Sequence, residues 1–246
     1  MTTHTNRRPG LYARHLARLA AVRALGAFLA ALGGALYITR SLPTISLSHP
    51  ALLRLSALHL STTDLVVGII TIAFGLLARH EWALRARAAI GARSEVRVAK
   101  TLTRIAPRYL ANSLLLGAGG DADHTVIGPK FCLVETKTGR GAVSFHAGQM
   151  RVGRRLVPGD PLAQARRQAA ALHRLTGVAC DAVVCVPDTS SEPAVHRGVT
   201  VCSLADLAGV IEALPSRMSS EQASAAYEHL VGVDQKNRET VTRPAV

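Results

Sequence analysis

Three charged side chains in the stretch DADHTVIGPKFCLVETKTGRG have the types that suit phosphate ester chemistry: Asp123, Glu135 and Lys137. Two carboxylates at close range repel each other unless a proton or a cation lies between them. Carboxylate oxygens suit Mg²⁺ or Mn²⁺, which keep several waters and accept phosphate oxygens. A neighbouring lysine orients water or stabilises negative charge on phosphorus. If these side chains meet, we expect Asp123 and Glu135 to bind Mg²⁺ (or Mn²⁺) and Lys137 to assist hydrolysis by a metal-activated water.

The meeting of these side chains depends on a β-hairpin around the Gly-Pro-Lys turn. Apolar runs on both sides of the turn predict two strands, and we pair them as antiparallel neighbours with Ile127 opposite Phe131. That register puts Asp123 opposite Glu135, where Cβ atoms are about 4.5 to 5.5 Å apart. The two-residue period of a strand puts Lys137 on the same face as Glu135. A shift of one residue would reverse the face of Asp123.

Other assignments stay open for this stretch. Asp121 is a rival for the ligand position of Asp123, because the register depends on the length of the turn. By themselves, Glu135 and Lys137 equally fit an ordinary ion pair at a solvated strand end. His124 alternates to the opposite face, and we expect it to be a packed histidine rather than a ligand.

A helix is predicted from residue 81 to about residue 105, with a break at Gly91. Val98 and Leu102 define an apolar face in its second half, and Glu95 lies on that face. A carboxylate there is costly unless a cation meets it. The opposite face carries Arg93, Arg97, Lys100 and Arg104.

Downstream of a loop that follows Pro107, short strands mix with helices, which predicts an α/β domain. The predicted strands cover residues 125–127, 131–136, 142–145, 181–186 and 199–202, with an irregular hairpin at 149–157. The predicted helices cover residues 160–175, 203–214 and 219–230, and the tail from residue 234 is expected to be disordered. Asp160 and Pro161 have the types of an N-cap and a first helical residue. Gln164 and Gln168 share one face of the helix that they begin.

Two uncharged apolar runs, residues 24–39 and 65–78, predict a transmembrane helical hairpin, although each is short of the roughly 20 residues of a typical span. Arginines concentrate outside the pair, at positions 7, 8, 14, 18 and 23 before it and 79, 85 and 87 after it, whereas Arg40 and Arg54 lie between. The positive-inside rule then puts both outer ends in the cytoplasm. The alternative is a pair of buried helices in a soluble protein. A transporter or channel fragment fits poorly, because Asp64 is the only internal charge that could serve a transport pathway.

The formal net charge of +13 invites a nucleic-acid interpretation, but the excess lies mainly before residue 105. The membrane flanks account for it there, and the rest of the chain is nearly balanced. Arg151, Arg154 and Arg155 fit either a track for a phosphate backbone or a solvated basic loop.

The four cysteines lack C-x-x-C spacing, and most of them lie in apolar, strand-like runs. We expect small core residues in a reducing compartment rather than a zinc site. They are Cys132, Cys180, Cys185 and Cys202.

The order Asp…Glu-x-Lys on adjacent strands resembles the PD-(D/E)xK nuclease superfamily, whose restriction-endonuclease-like core binds Mg²⁺ through the acidic pair. More narrowly, the opening stretch resembles the nuclease-related domain, NERD, in its Asp-His step, Gly-Pro turn and E-T-K strand end. Residues 91–95 are similar to the family's opening helix and glutamate, although Ser94 stands where glycine is usual. DPLAQARRQ is similar to the family's later helix at Pro161, Gln164 and Gln168. The resemblance covers about residues 88–205.

By this resemblance, Asp123 and Glu135 are metal ligands, Lys137 is the catalytic lysine, and Glu95 and Gln164 are supporting members of the site. The implied fold is α/β, a restriction-endonuclease-like core with a mixed sheet flanked by helices, preceded by the transmembrane helical hairpin. The implied function is a membrane-anchored Mg²⁺-dependent nuclease that hydrolyses phosphodiester bonds in DNA or RNA. The alternative is a catalytically silent, membrane-anchored module of the same fold that binds nucleic acid or protein.

The expected organisation assigns residues 1–23 to a basic cytoplasmic segment and 24–80 to the transmembrane hairpin. Residues 81–215 are assigned to a NERD-like nuclease domain with its linking helix, and 216–246 to a C-terminal helix and tail. The expected location is the cell (inner or plasma) membrane, multi-pass, with the nuclease-like domain in the cytoplasm. The expected partners are a nucleic-acid substrate and a lipid bilayer that meets residues 24–39 and about 60–78.

Overall fold

A computed structural model describes residues 4–5, 11–41, 62–105, 107–117 and 120–242 of the chain. The chain divides into two compact units, one of Arg14–Ala89 and one of Met1–Ala13 with Ile90–Val246. The helices are α1 (Leu11–Ser41), α2 (Thr62–Arg104), α3 (Pro161–Thr176), α4 (Leu207–Ala213) and α5 (Ser220–Thr242). The strands are β1 (His4–Thr5), β2 (Tyr109–Leu115), β3 (Asp121–Ile127), β4 (Phe131–Thr136), β5 (Val143–His146), β6 (Gln149–Val152), β7 (Arg155–Leu156), β8 (Asp181–Cys185), β9 (Ala194–His196) and β10 (Val199–Cys202).

The smaller unit consists of α1 and the first part of α2. Among the described residues, two helical segments are long and apolar enough to cross a membrane, Ala17–Ile38 and Leu65–Arg104. Few residues of either segment are buried. Gly34 lies directly against the Thr71 side chain, so the two helices approach closely there. The predicted connection with Arg54, and the arginines at positions 7 and 8, lie outside the described residues.

Helix α2 is continuous through Gly91, so the predicted break is wrong. One glycine in a helix costs only about 1 kcal/mol, and the alanines and arginines around it are strong helix formers. The same helix therefore carries both the second apolar segment and Glu95.

The larger unit is built on a mixed seven-stranded sheet with the order β1-β2-β3-β4-β8-β10-β9. Strands β2, β3 and β4 are antiparallel neighbours, whereas β8 runs parallel to both β4 and β10. A separate antiparallel sheet contains β5, β6 and β7. Strand β4 thus has an antiparallel neighbour, β3, on one side and a parallel neighbour, β8, on the other, and Glu135 is its second-to-last residue.

Helices cover both faces of the large sheet, as predicted for an α/β fold with a mixed sheet. Phe131 and Leu133 belong to a core with residues of α3 and α5, including Leu172 and Leu230. Cys132 and other alternate strand residues belong to a second core. That core also contains Val98 and Leu102 of α2 and Leu207 and Ile211 of α4.

Most predicted elements are present, and helix α3 begins as predicted. Asp160 caps it by accepting a hydrogen bond of 3.0 Å from the Ala163 N–H, and Pro161 is its first residue. Helix α4, however, begins at Leu207 rather than after Ser203. The Ser203 hydroxyl accepts from the Asp206 N–H instead, so it stabilises the turn before the helix.

Two further differences concern the segment after Pro107 and the C-terminal tail. The predicted loop contains β2, whose Asn112 and Ser113 interrupt the alternation typical of a strand. The predicted disordered tail is helical as far as Thr242, because α5 continues past Asp234. Contacts with distant parts of the chain, which local patterns do not contain, stabilise both segments. Strands β1 and β9 were also missed, since each has only two or three residues.

Candidate active site

The β3–β4 hairpin has the predicted register. Ile127 pairs with Phe131, Thr125 with Leu133 and His124 with Val134. Continuing the same register brings Asp123 opposite Glu135.

Asp123 lies where regular pairing between strands stops. Its Oδ2 accepts a hydrogen bond of 2.8 Å from the Thr136 N–H, at the residue between Glu135 and Lys137. On the other side, β2 pairs Asn112 with His124 and Leu114 with Ala122, which puts Ser113 opposite Asp123. Ser113 has a positive φ of 53°. Residues other than glycine that are held at a positive φ cluster at active sites.

Glu135, Lys137 and Gln164 form a closed set of contacts. Lys137 Nζ donates to Glu135 Oε1 at 2.7 Å and to Gln164 Oε1 at 3.1 Å. Gln164 Nε2, from helix α3, donates to the same Glu135 oxygen at 2.8 Å. The Glu135 side chain is only 2% exposed, whereas the Lys137 side chain is 22% exposed. The Lys137 side chain is therefore partly exposed, whereas the Glu135 carboxylate is buried.

The site is rich in negative charge around Asp123. Burial raises the pKa of Asp123 well above its usual range, and the charges of Glu135 and then Glu95 raise it further. The Thr136 N–H and the Lys137 ammonium oppose this rise. Glu95 is half-buried on α2, beside the buried Val98, as the helical pattern predicts. Three carboxyl groups from α2, β3 and β4 thus influence one another.

The donor set fits one hard divalent cation. Glu135 Oε2 is buried and has no hydrogen-bond partner among the described residues. No group of three or more metal-ligating side chains is present in the described part of the chain. Mg²⁺ commonly takes one or two carboxylates and fills its remaining positions with water and phosphate oxygens. Asp123 and the free oxygen of Glu135 suit that pattern.

Other predicted residues surround the site. Gln168 is buried and donates to the Asp121 carbonyl at 2.6 Å, so it supports the first residue of β3. His124 is fully buried, with Nδ1 2.7 Å from Asn112 Oδ1, and it is a packed residue as predicted. Burial lowers the pKa of His124 to about 3, which keeps its ring neutral.

The four cysteines are free, and three of them, Cys132, Cys185 and Cys202, are buried in the core. Burial raises the pKa of Cys132, so it stays a protonated thiol. The predicted basic side chains at Arg151, Arg154 and Arg155 are exposed on the small sheet and its turn.

The sequence did not predict that the Lys137 backbone N–H and side chains of helix α5 take part in the structure around the site. The Lys137 N–H donates to the Cys185 carbonyl at 2.9 Å, which continues the β4–β8 pairing past the end of the strand. Three side chains of α5, Asp234, Asn237 and Arg238, contact the end of β2. The spacing of Asp234 and Arg238, four residues apart in a polar segment, was the available signal.

Comparison with known families identifies the region that contains this site. The model of the family NERD, nuclease-related domain, matches residues 90–187, a range that includes all five predicted site residues. No curated protein and no solved structure matches the chain. Residues 90–187 therefore match the nuclease-related domain, NERD, which is a PD-(D/E)xK-like nuclease domain.

Proposed function

We propose that this protein is a membrane-anchored, Mg²⁺-dependent nuclease that hydrolyses phosphodiester bonds in DNA or RNA. The observation that carries the proposal is the different hydrogen bonding of the two carboxylate oxygens of Glu135. One of its oxygens binds Lys137 and Gln164, while the other is buried, has no partner in the described part of the chain and lies near the high-pKa carboxyl of Asp123. This arrangement suits a restriction-endonuclease-like core that is ready for a cation.

Asp123 and Glu135 would hold the cation, and Glu95 would add negative charge from α2. A bound Mg²⁺ or Mn²⁺ acidifies water and stabilises negative charge on phosphorus. Lys137 would orient the attacking water and stabilise the charge that develops on the phosphate. Gln164 would hold the Lys137 amine and the Glu135 carboxylate in a fixed relation, since it contacts both.

The apolar parts of α1 and α2 would anchor the protein in the cell membrane, multi-pass. Their largely exposed Leu, Ile and Val side chains support a lipid environment, because soluble proteins rarely expose such extended apolar surface. Arginines outside the pair support a cytoplasmic position for the nuclease-like domain.

A cleavage assay on the full chain in detergent tests the enzyme directly. Plasmid, linear duplex, single-stranded DNA and RNA would be incubated with Mg²⁺, Mn²⁺ or EDTA. We expect cation-dependent cutting that Glu135→Gln and Lys137→Met abolish. Glu221→Gln and Lys236→Met, which make the same chemical changes at exposed positions of α5, should cut normally.

The alternative function is a catalytically silent module that binds nucleic acid or protein. It predicts that the folded wild-type chain cuts none of these substrates with either cation. Nucleic-acid binding that is the same in wild type and Lys137→Met would then favour it over the nuclease.

A further inference from the structure

The second half of helix α5 contacts the end of strand β2 through three side chains. Asp234 Oδ1 accepts from the Leu115 N–H at 2.9 Å and from Arg238 Nε at 2.8 Å. Asn237 Nδ2 donates to the Leu115 carbonyl at 2.8 Å, and Arg238 Nη2 donates to the Ser113 carbonyl. Asp234 is only 2% exposed. The contacts therefore hold both polar backbone groups of Leu115 and the carbonyl of Ser113.

These contacts lie beside Ser113, where the regular pairing of β2 with β3 is interrupted opposite Asp123. The pairs on either side are Asn112 with His124 and Leu114 with Ala122, so Ser113 and Asp123 occupy the irregular position. Leu110 and Val126 pack in the core that contains α4, and regular alternation along β2 and β3 would put Leu114 and Ala122 in the same core. Leu114 and Ala122 pack instead in the core that contains α3. The strands therefore change the faces of their side chains at this position.

An irregular strand of this kind needs support from outside the sheet. A serine with positive φ is uncommon and costs about 1 to 3 kcal/mol unless its surroundings hold it. Backbone groups that leave the regular pairing also need other partners. Hydrogen bonds with charged side chains are roughly twice as strong as neutral ones, which suits Asp234 and Arg238 to this task. The buried Asp234 in turn needs its partners, because an unpaired buried charge is strongly destabilising.

We propose that Asp234, Asn237 and Arg238 are positioning residues for the carboxylate of Asp123. They act through Ser113 and Leu115 of β2, and they touch neither substrate nor cation. Helix α5 lies outside the matched residues 90–187, so this chain completes its nuclease-related domain with a C-terminal helix. The role of Asp123 as a cation ligand rests on the proposed function, whereas the support of its strand does not.

The test compares Arg238→Met and Asn237→Leu with Lys236→Met in the full chain in detergent. Lys236 is exposed on the same helix, so its substitution removes a positive charge without touching β2. Ile211→Ala, in the core on the other side of the sheet, serves as a destabilised reference. The measurements are amide hydrogen exchange over residues 111–125 and the Kd for Mn²⁺ in the absence of nucleic acid.

We expect faster exchange over this segment and a Kd for Mn²⁺ that rises about tenfold to a hundredfold in Arg238→Met, the usual effect of removing a supporting residue. Lys236→Met should match the wild type. Ile211→Ala should keep its Mn²⁺ affinity although it unfolds at a lower temperature. If Arg238→Met does not fold, Asn237→Leu decides, since it removes one neutral hydrogen bond and should show smaller changes in the same direction.

Unchanged exchange over residues 111–125 in folded variants would overturn the proposal. An equal loss of Mn²⁺ affinity in Ile211→Ala would also overturn it, because general destabilisation would then explain the effect. A wild-type chain that binds no Mn²⁺ and cuts no nucleic acid would refute the proposed nuclease. Amide hydrogen exchange over residues 111–125 would still show whether α5 supports the strand of Asp123.

Discussion

At the scale of single residues, the site is organised around one oxygen of Glu135. That oxygen accepts from both Lys137 and Gln164, while the second oxygen remains without a described partner. A buried carboxylate with only one satisfied oxygen is costly unless another group completes it. One oxygen of Glu135 therefore holds the lysine, and the proposed function assigns cation binding to the other.

Replacing Gln164 with leucine should reduce catalysis more than stability. The change removes the contacts with both Lys137 and Glu135 but keeps the volume of the side chain. We expect kcat for Mg²⁺-dependent cleavage to fall about tenfold or more, the usual effect of removing a supporting hydrogen bond. Gln235→Leu, at an exposed position of α5, is the matched control. Equal kcat in both variants would contradict this role for Gln164.

The raised pKa of Asp123 predicts how stability depends on pH. A carboxyl group with a higher pKa in the folded state than in the unfolded state binds its proton more tightly when folded. Its stabilising contribution is full below the unfolded pKa of about 3.9 and is lost as pH rises through the folded pKa. In EDTA, the free energy of unfolding of wild type should therefore fall relative to Asp123→Asn as pH rises. The limiting slope is about 1.4 kcal/mol per pH unit.

Urea denaturation of both proteins between pH 4.5 and pH 8 measures this difference. Asparagine can still accept from the Thr136 N–H, so the comparison isolates the charge. A difference that stays constant across this range would contradict the raised pKa. Mn²⁺ should stabilise the wild type more at the higher pH, because it competes with the proton for Asp123.

At the scale of elements, the loop that follows Lys137 depends on its packing against the small sheet. A Cβ at Gly139 would lie 2.5 Å from Val152 Cγ1, and Val152 of β6 is buried. The Thr189 hydroxyl also donates to the Gly141 carbonyl at 2.8 Å. The small sheet and Thr189 therefore position the chain directly downstream of Lys137.

The substitution Gly139→Ala should destabilise the protein by about 1 to 3 kcal/mol, the usual cost of overpacking. The double variant with Val152→Ala should recover only part of this loss, because the Cγ1 contact is then absent whereas the Cβ at position 152 still lies 2.6 Å from the added Cβ. Gly232→Ala is the control, because no atom lies within 4 Å of its added Cβ in helix α5. That change should be neutral or stabilising by up to about 1 kcal/mol. Additive effects of Gly139→Ala and Val152→Ala would show that the contact is unimportant.

At the scale of the whole molecule, the chain combines a region that matches the NERD family with helices that are long and apolar enough to cross a membrane. If these helices anchor the protein, a charge at their exposed surface should impair insertion without affecting the fold of the domain. Ile72, which is 65% exposed on α2, is a suitable position.

Arginine at position 72 should reduce the fraction of the protein that stays in membranes after an alkaline wash. An arginine near the centre of a spanning helix costs about 2.5 to 3.5 kcal/mol on insertion scales. Val195→Arg, at an exposed position on β9, should leave the membrane fraction unchanged. Equal membrane retention of both variants, or a wild type that washes off, would contradict the anchoring role.

Short-range patterns were sufficient to predict the hairpin and the helix that carry the predicted site. The turn between Ile127 and Phe131 determines the β3–β4 register, and helical periodicity puts Glu95 on the apolar side of α2. Asp160 and Pro161 begin α3 in the same way. These features depend on residues close together in the chain, so the sequence alone determined them.

Only the tertiary structure decided how the strand of Asp123 is supported. The positive φ of Ser113, the parallel pairing of β4 with β8 and the contacts of Asp234 and Arg238 join residues far apart in the chain. No local propensity encodes such contacts, because their free energy appears only when distant segments pack together. The sequence therefore indicated which side chains belong to the candidate site, and the folded chain decided how they are held.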